Sequence, residues 1–154
     1  SSTPGVGSTF RLWLPSAEDA EAKPPPVTAN ERRRILVVEH DRAAACSIAR
    51  ILAESYDVVV EHDAQSAMTR LADDPEFDVL LCDLILPELA GVSLHRELSY
   101  QKPELAERLV FLTGTFTQEA SEFLARVRNP RVSKPPIPEE LERCIRSILA
   151  RNYC

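Results

Sequence analysis

Glycine is scarce in this sequence, with four residues in 154. The segment 39–45, EHDRAAA, stands where a phosphate-cradling loop would follow the first predicted strand. It holds no glycine, which argues against a nucleotide-binding enzyme built on such a loop. Long apolar runs are absent too. None approaches the roughly 18–20 residues that span a bilayer. Basic residues are outnumbered 18 to 24, for a formal net charge of −6 and a pI of about 5.1. That balance argues against general binding to nucleic acid or to an anionic membrane. The opening residues, SSTPGVGS, lack the basic and apolar regions of a signal peptide. Cysteine is limited to Cys46, Cys82, Cys144 and Cys154, with neither CxxC nor zinc-type spacing. The first three are expected as small buried hydrophobes in a reducing cytosol. Cys154 is expected at the surface, free to form a disulfide between chains in vitro.

What is present suffices for one ordinary domain with a real core plus a tail: 44% apolar and 27% charged residues. The chain is organised around residues 77–91, FDVLLCDLILPELAG. Four consecutive apolar residues, Val79 to Cys82, predict a strand covered on both faces, as in a parallel sheet. Asp83 ends that strand, at the carboxyl edge where open α/β sheets bind their ligands.

Residues 1–34 differ from the rest. Phe10, Leu12 and Leu14 alternate with Arg11 and Trp13 as one short strand. The next stretch is rich in Ala, Glu and Pro, with Pro24 to Pro26 consecutive, and reads as a linker over 16–33. One orphan strand cannot be a domain. It is either a disordered tail or the end of a preceding domain.

From Ile35 onward strands and helices alternate. Predicted strands cover 35–38, 56–60, 79–82, 109–112 and 130–133. Helices are predicted over 42–54, after 63, over 91–100, after 117 and from 138. Asp41, Asp63 and Thr117 are their N-caps, and Pro138 suits a first helical turn, with Glu139 and Glu140 near its positive end. The expected fold is α/β and flavodoxin-like: a parallel five-stranded sheet in the order 2-1-3-4-5 with helices on both faces. The pentapeptide VVEHD occurs at 37–41 and again at 59–63, each time ending a strand and capping a helix. It reads as coincidence. His62 and His95 read as surface residues without partners.

In that strand order the ends of strands 1 and 3 face each other across the switch-point crevice. Glu39, His40 and Asp83 become neighbours, with Thr113 and Lys134 on the same edge. This set suits phosphoryl transfer. Asp83 would be the nucleophile, forming an acyl phosphate. Thr113 and Lys134 would meet phosphoryl oxygens with a hydrogen bond and a fixed positive charge. Mg²⁺ would neutralise charge on those oxygens.

The pieces ILVVEHD, CDLILPELAG, VFLTG and SKPP resemble a response-regulator receiver domain over residues 34–151. The resemblance implies that Asp83 is the phospho-accepting aspartate, Thr113 the hydroxyl that follows the phosphate, and Lys134 a lysine beside a cis Pro135 bond. It also implies that Glu39 is the first acid of a metal pair and that the backbone carbonyl of Ile85 is a metal ligand. Gly5, Gly7, Ser8, Thr9, Phe10 and Pro15 resemble the last glycine box and final strand of the ATP-binding domain of sensor histidine kinases. Residues 1–15 are therefore expected as a remnant of that domain. The whole is expected to come from a hybrid histidine kinase, cytoplasmic in this region. Its expected partner is a histidine kinase core or histidine phosphotransfer domain, with homodimer formation left open.

Two positions depart from the family pattern. His40 stands where a second acid usually binds Mg²⁺, and imidazole is a poor Mg²⁺ ligand that suits Mn²⁺ and other transition ions better. Weak metal binding is expected. Arg131 stands where an aromatic residue, three before the lysine, often reports phosphorylation to partners. Both favour the alternative of a degenerate receiver, a protein-interaction module independent of phosphorylation. Asp83, Thr113 and Lys134 oppose it.

Overall fold

A computed structural model describes residues 2–3, 7–8, 32–87, 90–114 and 117–151. The chain divides into two units, Ser1–Glu31 and Arg32–Cys154. In the first, Ser2–Thr3 pairs antiparallel with Gly7–Ser8. The strand expected at 10–14 and the linker up to residue 31 lie outside the described residues.

The second unit carries a five-stranded parallel sheet, its strands numbered here from its own first one. They are β1 (Arg34–Val38), β2 (Asp57–Glu61), β3 (Val79–Asp83), β4 (Leu109–Thr113) and β5 (Arg131–Ser133). Their order is β2-β1-β3-β4-β5, as expected. The helices are α1 (Arg42–Leu52), α2 (Ala64–Asp73), α3 (Ala90–Gln101), α4 (Pro103–Glu107), α5 (Gln118–Arg126) and α6 (Pro138–Arg151).

The apolar runs explain the layers. Successive strand residues point to opposite faces, so a strand with no polar position must be covered twice. Leu36, Val38, Leu80, Cys82 and Phe111 meet α2, α3 and α5 on one face. Ile35, Val37, Leu81, Leu112 and Val132 meet α1 and α6 on the other. The three valines of β2 are only half buried, because that strand is the sheet edge. The helices begin at the expected caps: Asp41 accepts from the Ala43 and Ala44 amides at 2.8 and 3.0 Å, and Asp63 from the Ser66 amide at 2.7 Å. Thr117 accepts from the Ala120 amide at 3.2 Å.

Some boundaries move. α1 stops at Leu52 rather than Glu54, and β2 starts one residue later than expected. α3 does end before the Lys102-Pro103 step, but Pro103 then opens the short α4, which went unforeseen. Proline suits a first helical position, and Leu105 and Ala106 bury against the core. Two apolar residues in five are too few for a periodic signal. Cys46 is exposed, against expectation, because it projects beside the inner stripe of Ala45, Ile48 and Leu52. Cys82 is buried and Cys144 half-buried.

Candidate functional site

The carboxyl edge of the sheet gathers side chains from three distant segments. Asp83 is the last residue of β3 and 4% exposed; Glu39 follows β1 and is fully buried. Lys134, just after β5, places its Nζ 2.6 Å from Glu39 Oε2 and 3.0 Å from Asp83 Oδ2. One ammonium thus serves two buried carboxylates. The other oxygens are held by backbone: Ile85 N–H donates to Asp83 Oδ1 at 2.9 Å, and Asp41 N–H donates to Glu39 Oε1 at 3.1 Å. Burial is the largest influence on the Lys134 ammonium and pulls its pKa down. The hydrogen bonds and charges of Glu39 and Asp83 together outweigh it, so the pKa is raised.

His40, half exposed, points Nδ1 into the same space, 3.3 Å from Glu39 Oε1 and 3.5 Å from Asp83 Oδ2. One ligand atom from each of Glu39, His40 and Asp83 lies within 4.8 Å of the others. Two hard carboxylate oxygens beside an imidazole nitrogen fit a divalent cation. The nitrogen makes the set less suited to Mg²⁺ than an all-oxygen set. Ile85 lies in the turn after β3, with its backbone tied to Asp83.

Thr113 ends β4 and is 3% exposed. Its hydroxyl donates to the Val132 carbonyl at 3.3 Å, toward β5. The Thr113 carbonyl in turn accepts from Lys134 N–H at 2.7 Å, so backbone couples the two residues. The Lys134-Pro135 peptide is cis, as the resemblance implied. Arg131 is exposed at the start of β5 and makes no side-chain hydrogen bond or ion pair among the described residues.

Two histidines read as partnerless have partners. His62 Nδ1 lies 2.9 Å from the Glu39 carbonyl, and Glu39 N–H donates to the Glu61 carbonyl at 3.0 Å. The second VVEHD copy therefore lies beside the first and buttresses the backbone of Glu39. The repeat itself was the available signal. His95 Nε2 lies 3.1 Å from Asn129 Oδ1, and the ring packs against Phe111 and Phe123 at 5.7 and 5.4 Å between centroids. Burial lowers its pKa, partly offset by the Asn129 hydrogen bond. It lines a cavity of about 610 Å³ with Val92 and Arg96 of α3 and Phe123 and Arg126 of α5, away from the acidic site.

Gly91 explains how α3 begins so close to this edge. A Cβ there would collide with the Asp83 carbonyl oxygen and lie 2.8 Å from that of Leu84. Among the described residues, no helix is long and apolar enough to cross a membrane.

Residues 35–146 match the model of the response regulator receiver domain. Sensor protein TorS of Escherichia coli is 27% identical over 158 aligned residues, covering 99% of this chain and 16% of that protein. Sensor kinase CckA of Brucella abortus is 29% identical over 127 residues, covering 71% of this chain and 13% of that protein. The chain thus spans a sixth or less of the length of these two relatives. A solved CheY-like receiver domain protein from Methanospirillum hungatei superposes with a TM-score of 0.69 at 26% identity. That similarity covers 78% of this chain and 95% of the other.

Proposed function

We propose, since this chain belongs to the response regulator receiver domain family of two-component signalling, that Asp83 accepts a phosphoryl group from a phosphohistidine. The observation that carries this reading is the Lys134 ammonium, held 3.0 Å from the Asp83 carboxylate at a strand-end rim. An Asp83 carboxylate oxygen attacks phosphorus, a P–O bond forms, and the P–N bond to the donor imidazole breaks. The leaving imidazole takes up a proton. Lys134 supplies fixed positive charge to the phosphoryl oxygens. The Thr113 hydroxyl would have to turn from the Val132 carbonyl to donate to the phosphoryl group. Glu39, Asp83 and the Ile85 carbonyl would hold a divalent cation, ordinarily Mg²⁺, which when bound neutralises charge on the phosphoryl group. His40 weakens that site for Mg²⁺ by replacing a carboxylate with a neutral nitrogen donor. The domain is a phosphoacceptor with residual self-dephosphorylation, not a turnover enzyme.

Residues 1–15 are read as the end of a kinase ATP-binding domain, 16–33 as a linker and 34–151 as the receiver. The alignment with a sensor protein across 99% of the chain supports this, since it extends beyond residues 35–146. The parent would be a hybrid histidine kinase, and the donor a kinase core or phosphotransfer domain in the cytoplasm.

The test is mass spectrometry after incubation with acetyl phosphate in Mg²⁺. A labile phosphate that disappears in Asp83→Asn is expected, with slower uptake in wild type than in His40→Asp. Equal uptake by these two would show that His40 is no handicap. His40 and the exposed Arg131, which has no side-chain partner among the described residues, favour a second reading, a binding module that works without phosphorylation. Absence of any label on Asp83, even in the His40→Asp variant, would establish that reading instead.

A further inference from the structure

Position 40 decides more than the strength of metal binding; it also bears on which metal binds. Three facts set the chemistry. First, His40 Nδ1 is directed at the space between the carboxylates, at 3.3 and 3.5 Å from an oxygen of each. Ligand bonds of about 2.0–2.1 Å put neighbouring ligand atoms of one ion roughly 2.8–3.4 Å apart, the longer values in a tetrahedron. The separations of the nitrogen from the two oxygens are close to those edges, and all three atoms lie within 4.8 Å of one another, a span that a single ion can draw together.

Second, the position is anchored. The Asp41 carboxylate caps α1, and the Asp41 amide is tied to Glu39 Oε1. His40 therefore leaves the backbone at a fixed point beside Glu39, whose own carbonyl is held by His62. Half of its side chain is open to solvent, which leaves an entry path for a hydrated ion.

Third, the charges in the cluster are small in number. Glu39 and Asp83 carry one negative charge each, and Lys134 offsets one of them. Lys134 repels every divalent ion alike, so it cancels out of any preference between ions. The choice falls on the third donor. Mg²⁺ gains little from an imidazole and gives up water reluctantly. First-row transition ions bind imidazole well, with affinity rising from Mn²⁺ through Co²⁺.

We propose that Glu39, His40 and Asp83 form a mixed nitrogen–oxygen site that takes first-row transition ions in preference to Mg²⁺, with His40 Nδ1 as a ligand. This rests on the receiver reading for the location of the site, but the preference is testable without any phosphodonor. Co²⁺ is the probe, because its visible absorption reports nitrogen ligation directly.

The measurement is a Co²⁺ titration of the full chain at pH 7.5, with Mg²⁺ as competitor. Cys46→Ser and Cys154→Ser remove thiols that would also take Co²⁺. In this background Co²⁺ is expected to bind about tenfold or more tightly than Mg²⁺. His40→Ala should lose about tenfold in Co²⁺ affinity and shift the absorption bands, while Mg²⁺ affinity changes by less than about threefold. His40→Asp should tighten Mg²⁺ and narrow the difference between the ions. Equal Co²⁺ affinity and unchanged bands in His40→Ala would overturn the inference, as would wild-type binding that favours Mg²⁺. Acetyl-phosphate labelling of Asp83 at saturating Mg²⁺ separates the two ideas. Labelling without a Co²⁺ preference sinks the inference and keeps the receiver reading. A Co²⁺ preference without labelling sinks phosphoacceptance and keeps the metal site.

Discussion

The two edges of the sheet carry ion networks of opposite kinds. At the amino edge, the Arg34 guanidinium makes a two-pronged pair with Asp74, both bonds 2.8 Å, and reaches Asp57 at 3.3 Å. It lies over the Phe77 ring at 4.5 Å, and its amide donates to Asp78 at 2.8 Å. These side chains are substantially exposed, 30% for Arg34 and 37% for Asp74. At the carboxyl edge, Glu39 and Asp83 expose only 0% and 5% of their side chains and share one ammonium. The amino edge closes the sheet with a planar cation matched to its acids. The carboxyl edge is short of positive charge where charge is hardest to bury. A fold gains nothing for stability from such a deficit, and a site that admits a cation and a phosphoryl group needs it.

Substitutions should separate the edges by size of effect. Lys134→Met leaves two buried carboxylates without their cation and should lower unfolding free energy by about 3 kcal/mol, read by urea denaturation. Gly91→Ala forces α3 away from the Asp83 and Leu84 carbonyls and should lower it by about 2 kcal/mol. Arg34→Met should cost about 1 kcal/mol, since its pairs are half in water. A larger loss at Arg34 than at Lys134 would invert the comparison. Asp83→Asn should change stability by less than about 1 kcal/mol, because Lys134 keeps Glu39 as its partner.

Titration sharpens the contrast through its direction. The Lys134 pKa is raised in the fold, so its contribution is fully present below the unfolded value of 10.5 and is lost as pH rises through the folded value. The Asp74 pKa is lowered, chiefly by the Arg34 hydrogen bond, so its contribution is present above the unfolded value of 3.8 and is lost as pH falls through the folded value. Alkali should therefore close the stability gap between wild type and Lys134→Met, and acid the gap between wild type and Asp74→Asn.

Legibility differed with the physics behind each feature. The strands were plain in runs such as Ile35–Val38 and Val79–Cys82, because a doubly covered strand tolerates no polar residue. The caps Asp41, Asp63 and Thr117 were equally plain, since capping is a local hydrogen bond. Given the strand order, Glu39, Asp83 and Lys134 could be placed together, and they meet. The short α4 left no periodic trace. His62 and His95 escaped because their partners, a backbone carbonyl just past the neighbouring strand and Asn129 with two phenylalanines, are supplied across 16 to 34 residues of chain.

By itself the sequence determined the alternation of elements, their starting points and the kinds of side chain placed at each strand end, because those depend on residues a few positions apart. Tertiary structure alone decided the rest: that one ammonium reaches both carboxylates, that Thr113 turns its hydroxyl to Val132, and that His40 aims at the acids. Such choices depend on distances of a few tenths of an ångström between segments as much as 95 residues apart. Nothing local in the chain sets those distances; the packing of helices on both faces of the sheet does.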